Sequence, residues 1–205
     1  MLQIGSDTEG FRIDRAWACV HCLADGTEVT IRMLRPGDRE SFLAGFEGLS
    51  RESRYLRFFT AMPRLPDSVL QRLLNTDGMD HAALAAWCRT SADTIVAVAR
   101  FIRLRKGGDA ADVAVAVVDH MQRRGIGRLL LAHLGEAARE RGIRRFRAEV
   151  LRANHAVRAL VRDLDANALP VAVDGSIAVY DLDVPAGDAC HRLCTPDRSW
   201  YAERQ

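Results

Sequence analysis

Three observations on this chain predict an α/β fold in which helices cover both faces of a central sheet of six to seven strands. Val113 to Val118 is an almost unbroken run of β-branched residues and alanine, which reads as a buried strand. It leads into Gln122-Arg123-Arg124-Gly125-Ile126-Gly127, and from Ile126 to Arg141 leucines recur at helical spacing, so strand, turn and helix follow directly. The rest of the chain alternates in the same way, in the order β-α-α-β-β-β-α-β-α. With 205 residues, 48% hydrophobic and 27% charged, it is long enough to bury one good core.

Each element has its own signal. Met1 to Ala24 mixes polar and glycine positions with Trp17 and Cys19, and fits an added strand, a short helix or an arm equally. Asp25-Gly26-Thr27 opens a strand with alternating Val29, Ile31 and Met33, and Arg35-Pro36-Gly37-Asp38 leads into a helix that includes Phe42 and Phe46. A second helical segment follows around Leu49 to Phe59, and then a strand pair, Ala82 to Cys88 and Thr94 to Leu104. After the central helix, Arg145 to Leu151 is a strand, and Arg152-Ala153-Asn154 starts a last helix. Leu169 to Val173 and Ile177 to Leu182, joined by Asp174-Gly175-Ser176, read as a β-hairpin supplying the sixth and seventh strands. The tail from Val184 holds Pro185, Gly187 and Pro196, which suit a loop, with Trp200 and Tyr201 as tethers for its end. The expected division is an N-terminal extension over 1–24, a domain over 25–183 and a tail over 184–205.

The turn carries the chemistry. At a helix N-terminus the first N–H groups lack intrahelical partners and the macrodipole is positive, so an anion is favoured there. Two glycines let the backbone approach that anion, which points to a phosphate or pyrophosphate. A Walker loop is excluded because its lysine is absent: Lys106 is the chain's only lysine. The dinucleotide fingerprint fails as well, since Gly125 to Leu130 reads Gly-Ile-Gly-Arg-Leu-Leu and lacks the third glycine.

The pattern that fits is Gln/Arg-x-x-Gly-x-Gly/Ala, and with it the chain resembles the GCN5-related N-acetyltransferase (GNAT) superfamily. Leu49-Ser50-Arg51-Glu52-Ser53-Arg54-Tyr55-Leu56-Arg57-Phe58-Phe59 and Val150-Leu151-Arg152-Ala153-Asn154 resemble one branch, the acetyltransferase domain of bacterial protein lysine acetyltransferases that act on acyl-CoA synthetases. The resemblance covers about residues 25 to 165. It implies a mixed, mostly antiparallel sheet splayed between the family's strands 4 and 5, and acetyl-CoA as cosubstrate. It places the pyrophosphate at Gln122, Arg123, Arg124, Gly125, Ile126, Gly127 and Arg128, and the pantetheine arm along Val115, Ala116 and Val117, with Asn154 beside it. As a helix N-cap, Asn154 is equally well explained. A homodimer is common in the superfamily, and the acceptor is expected to be a protein lysine or, next, a small amine.

Two positions depart from the branch. Its pattern Glu-Phe-Ala-x-x-Val-x-Asp reads here Asp112-Val113-Ala114-Val115-Ala116-Val117-Val118-Asp119, so the candidate general base is Asp112, one methylene shorter than glutamate; a solvated carboxylate is the alternative. The last core helix, Arg158 to Ala166, lacks the tyrosine that in the family protonates the leaving thiolate. A non-catalytic acyl-CoA-binding module therefore stands beside the enzyme reading.

Composition excludes other classes. The net charge of +2, with acids and bases interspersed, does not point to nucleic acid. No apolar run reaches the roughly 18 to 20 residues of a membrane span, and the N-terminus does not read as a signal peptide, so the cytoplasm is the expected compartment. Cys19-x-x-Cys22 and Cys190-x-x-x-Cys194, with His21 and His191 nearby, have spacings that zinc sites use, but the glycines and tight hairpins of zinc ribbons are missing. Reduced thiols and no metal are expected.

Overall fold

A computed structural model describes residues 11–88, 94–185 and 195–196. In chain order the elements are β1 (Ala18–Cys22), β2 (Glu28–Met33), α1 (Arg39–Glu47), α2 (Arg51–Phe58), α3 (Asp67–Leu74), β3 (His81–Cys88), β4 (Ile95–Arg103), β5 (Ala110–Val117), α4 (Ile126–Glu140), β6 (Arg145–Leu151), α5 (His155–Leu164), β7 (Ala172–Asp174), β8 (Ile177–Asp183) and β9 (Thr195–Pro196). The strands form one sheet in the order β7-β8-β6-β5-β4-β3-β2-β1-β9. Every neighbouring pair is antiparallel except β5 and β6, which run parallel and pair only through Ala110–Asp112 against Arg145–Arg147. Beyond those three residues the two strands part, which is the expected splay.

The sheet has more strands than the six to seven expected. Of the three options for the N-terminal segment, a strand is realised: β1 pairs with β2 along its whole length, from Ala18 opposite Arg32 to Cys22 opposite Glu28. The two-residue β9 adds to its other edge. β1 escaped a pattern reading because one of its inward positions is the polar His21, buried at 2% exposure. β5 begins at Ala110 rather than Val113, so Asp112 lies inside the strand. The first arm of the late hairpin is shorter than expected, with Leu169 79% exposed and outside any strand. Trp200, Tyr201, Cys190, His191 and Cys194 lie outside the described residues.

Two apolar layers sandwich the sheet. On one face α4 buries Ile126, Leu130, Leu131 and Leu134 against Ile31, Leu84, Ala97, Ala99 and Phe101. On the other, Phe42, Phe46, Leu70 and Leu74 of α1 and α3 pack on Ala83, Ala85, Trp87 and Ile95. Alanines in β3 and β4 keep the sheet surface low, so helices approach closely. At Gly45 of α1 a Cβ would stand 2.4 Å from the Ile95 carbonyl oxygen, so that crossing has room for hydrogen only. A third cluster, Ala148, Val150, Val161, Ala178, Tyr180 and Leu182, ties β6, β8 and α5 together on the far side of the splay. Among the described residues no helix is long and apolar enough to cross a membrane.

Candidate active site

The turn from β5 into α4 is built to leave N–H groups open. Gly125 caps the helix at φ +85, a left-handed conformation that favours glycine, and Arg123 is also left-handed at φ +59. None of the N–H groups of residues 123 to 128 donates to a backbone carbonyl of a described residue. Open donors clustered at a helix N-terminus favour an anion. Ile126 and Gly127 are buried, and a Cβ on Gly127 would lie 3.7 Å from Val117 Cγ2 and 3.9 Å from Val115 Cγ2, so the first turn of α4 packs on the β5 valines.

Side chains brace this turn from α2. Gln122 donates through Nε2 to the Val117 carbonyl (3.1 Å) and to Ser53 Oγ (3.3 Å). Asp119 accepts from the Ser50 N–H (2.8 Å) and Ser53 Oγ (3.0 Å), and these bonds hold its carboxyl below the usual range against the desolvation that would raise it. Gln122 thus sits as a brace. Of the arginines expected at the phosphates, Arg124 pairs with Asp25 at 2.9 Å, whereas Arg123 and Arg128 are exposed and make no ion pair among the described residues.

β5 separates two environments. Val113, Val115 and Val117 pack toward α4, so by strand alternation Asp112, Ala114 and Ala116 face the α1 and α2 side. Asp112 is exposed and pairs with Ile102 on one side and Arg147 on the other. Partial desolvation, and then the charge of Glu149, push its carboxyl above the usual range, against the pull of Arg147. Arg147 is itself held by Asp181 at 2.9 Å. Asn154 is buried and caps α5, its Oδ1 accepting from the Val157 N–H at 3.1 Å.

Above the alanines lies a cavity that the sequence reading missed. Phe42, Phe46, Leu49, Phe58, Leu73 and Val98 give it apolar walls, and Arg57 and Arg100 also line it. Arg100 stands opposite Ala114 in the strand register, is 4% exposed, and donates to the Leu73 carbonyl at 2.9 Å. Arg57 is half-buried, with its guanidinium 5.1 Å from the Phe58 ring. Neither has a carboxylate partner among the described residues. Burial lowers Arg57 to about 10, and burial together with the Arg57 charge lowers Arg100 to about 9, so both stay cationic at neutral pH. The one sequence signal for this pair was an arginine inside the otherwise apolar run Ile95 to Phe101. Glu149, two residues past the β5–β6 pairing, had no such signal.

An open helix N-terminus, a strand splayed from its parallel neighbour and an exposed carboxylate where the splay begins thus lie together along β5. Residues 50–165 match the Acetyltransferase (GNAT) family, and the chain belongs to that family of acetyltransferases. It is 34% identical over 160 residues to the acetyltransferase Pat of Mycolicibacterium smegmatis, a match covering 77% of this chain and 46% of that protein. It is 30% identical over 142 residues to an acetyltransferase of Pseudomonas aeruginosa, covering 69% of this chain and 76% of that one. The chain thus spans less than half of the first relative's length. Among solved structures it superposes on the GNAT domain of S. lividans PAT with a TM-score of 0.73 and 33% identity, covering 83% of this chain and 98% of that one.

Proposed function

We propose that this chain transfers an acetyl group from acetyl-CoA to a primary amine, with a protein lysine the favoured acceptor. The observation that carries the cofactor is the row of open N–H groups at residues 123 to 128, beside a strand that parts from its neighbour after three pairs. The lysine preference rests on the likeness to the Pat proteins. The pyrophosphate would sit on that row near Arg123 and Arg128, and the pantetheine arm would use the free edge of β5 along Val115 to Val117. A backbone N–H there would donate to the thioester oxygen as negative charge develops. The amine, entering from the Asp112 side, attacks the thioester carbon; the C–N bond forms, the C–S bond breaks and CoA leaves as thiolate. Asp112, directly or through a water, takes the ammonium proton before attack. The attacking nitrogen gives up its second proton to water as the amide forms, and the thiolate is protonated through that water, since no tyrosine lies in α5.

Calorimetric titration with acetyl-CoA tests this. Arg123→Glu/Arg128→Glu reverses two exposed charges without touching the core, and is expected to weaken binding by about tenfold or more, ~1.4 kcal/mol. Equal affinity in the folded variant would move the phosphates elsewhere.

A second acceptor reading is favoured by Arg57 and Arg100. Two guanidiniums without acidic partners in an apolar cavity suit an amine that also carries a carboxylate. Arg100→Met is then expected to raise KM for a carboxylate-bearing amine by roughly 10- to 100-fold, the worth of a charged hydrogen bond, with acetyl-CoA affinity unchanged. A KM effect no larger than that on a lysine peptide would return the acceptor to protein lysine.

A further inference from the structure

At the edge of the sheet farthest from the candidate active site, β1 and α4 bring three ligating side chains together. Cys19 is fully buried, His21 is 2% exposed and His133 is 1% exposed. His21 Nε2 lies 2.8 Å from His133 Nε2 and 3.5 Å from Cys19 Sγ, and the three ligand atoms all fall within 4.8 Å of one another. Strand alternation turns Cys19 and His21 to the same face, and α4 lays His133 across them.

Metal-free, the histidine pair is poorly satisfied. One Nε2 must donate to the other, and both Nδ1 atoms are buried with no hydrogen-bond partner among the described residues. The pair then leaves one buried N–H and one buried lone pair unmet. A cation taking both Nε2 lone pairs fixes both rings as Nδ1–H tautomers. The Nδ1 of His133 is 3.8 Å from Glu136 Oε2, and Glu136 is held in turn by Arg12. A carboxylate behind a ligating histidine is the arrangement that orients metal ligands.

Cys19 is disulfide-bonded in this structure, so its sulfur becomes a metal ligand only after reduction. A phosphine, oxidised to its phosphine oxide with the oxygen of water, reduces the disulfide to two thiols; the Cys19 thiol loses its proton to solvent when a divalent cation binds. The described set becomes one sulfur and two imidazole nitrogens, three donors of the kinds that structural zinc takes. With Zn–N near 2.0–2.1 Å and Zn–S near 2.3 Å, a tetrahedron has N···N edges of about 3.3 Å and N···S edges of about 3.6 Å. The Cys19–His21 spacing already matches, and the imidazole pair needs to open by about half an ångström.

We propose that Cys19, His21 and His133 are ligands of a structural zinc site in the reduced protein, clamping β1 to α4. The site lies outside the acyl-transfer machinery and does not depend on the transferase reading. It replaces the pairing of Cys19 with Cys22 considered from sequence spacing, because Cys22 is exposed and a free thiol.

The test uses the full chain without a polyhistidine tag, purified with a phosphine reductant and no chelator. Elemental analysis is expected to find one zinc per chain, and cobalt in its place is expected to show a thiolate-to-metal charge-transfer band. Cys19→Ser should weaken that band, and His133→Asn should lower zinc occupancy at least tenfold. Because either variant could misfold, alkylation mass spectrometry on the native reduced chain gives an independent reading: zinc should protect Cys19 and leave Cys22 reactive. Reduced native protein that takes up neither zinc nor cobalt, or in which Cys19 alkylates equally with and without zinc, overturns the proposal. Undiminished metal binding in both folded variants does the same.

Discussion

At Asp112 two neighbours of opposite sign set how strong a base the carboxylate is. Partial desolvation and Glu149 raise its pKa, and Arg147 opposes them. A raised pKa makes the carboxylate a better proton acceptor, and means that its charged form is populated only at higher pH than for an ordinary aspartate. The acid limb of kcat/KM is therefore expected to rise with pH through this raised value. Glu149→Gln removes the like charge, lowers the Asp112 pKa and shifts that limb to lower pH. Asp112→Asn is expected to reduce kcat by about 10²- to 10⁴-fold, the usual worth of a general base, with acetyl-CoA affinity unchanged. A pH–rate profile that Glu149→Gln leaves in place, together with full turnover in Asp112→Asn, would take Asp112 out of the reaction.

At the scale of elements, the crossing of α1 over β4 shapes the cavity that Arg57 and Arg100 line. Gly45 permits it, since a Cβ would stand 2.4 Å from a backbone oxygen that cannot turn aside. Gly45→Ala must lift α1, and with it Phe42 and Phe46, from the sheet; overpacking of this kind costs about 1–3 kcal/mol. For a chain of this size each kcal/mol lowers Tm by roughly 2–4 °C, so a calorimetric scan is expected to show a clear loss, and an unchanged Tm would mean that the crossing has slack. Most local elements were legible from the sequence because their causes are local, whereas α3 went unread. Gly125 and Gly127, the leucines of α4 and the Ser50 cap, which accepts from the Ser53 N–H at 3.1 Å, act within a few residues. What was not legible depends on partners far along the chain. His21 looks polar until His133, 112 positions later, lies against it. Arg57 and Arg100 are unremarkable until α2 and β4 close one cavity over them.

Across the whole molecule, the sheet is one ladder of hydrogen bonds with a single weak seam. β6, β8 and α5 carry an apolar cluster, and the sheet connection of β6, β8 and β7 to the remainder is three residue pairs of β5 and β6. Past Asp112, β5 is paired with β4 on one edge only, up to Ala97 opposite Val117. Alternate N–H groups between Val113 and Val117 therefore point into the gap, where a pantetheine amide can pair with them as a missing strand would. This arrangement has a dynamic consequence. In the free protein, amides of residues 113 to 117 that face the gap are expected to exchange with solvent faster than those of β3 and β4, which have a paired neighbour on each side. Acetyl-CoA should slow them together with the amides of residues 123 to 128, because one ligand would cover the strand edge and the helix N-terminus at once. Hydrogen-exchange mass spectrometry with and without acetyl-CoA reads both segments in one experiment. Protection at the turn without protection along β5 would anchor the phosphates but place the thioester outside the seam, and Asp112 would then have no reacting carbonyl on its side of the sheet.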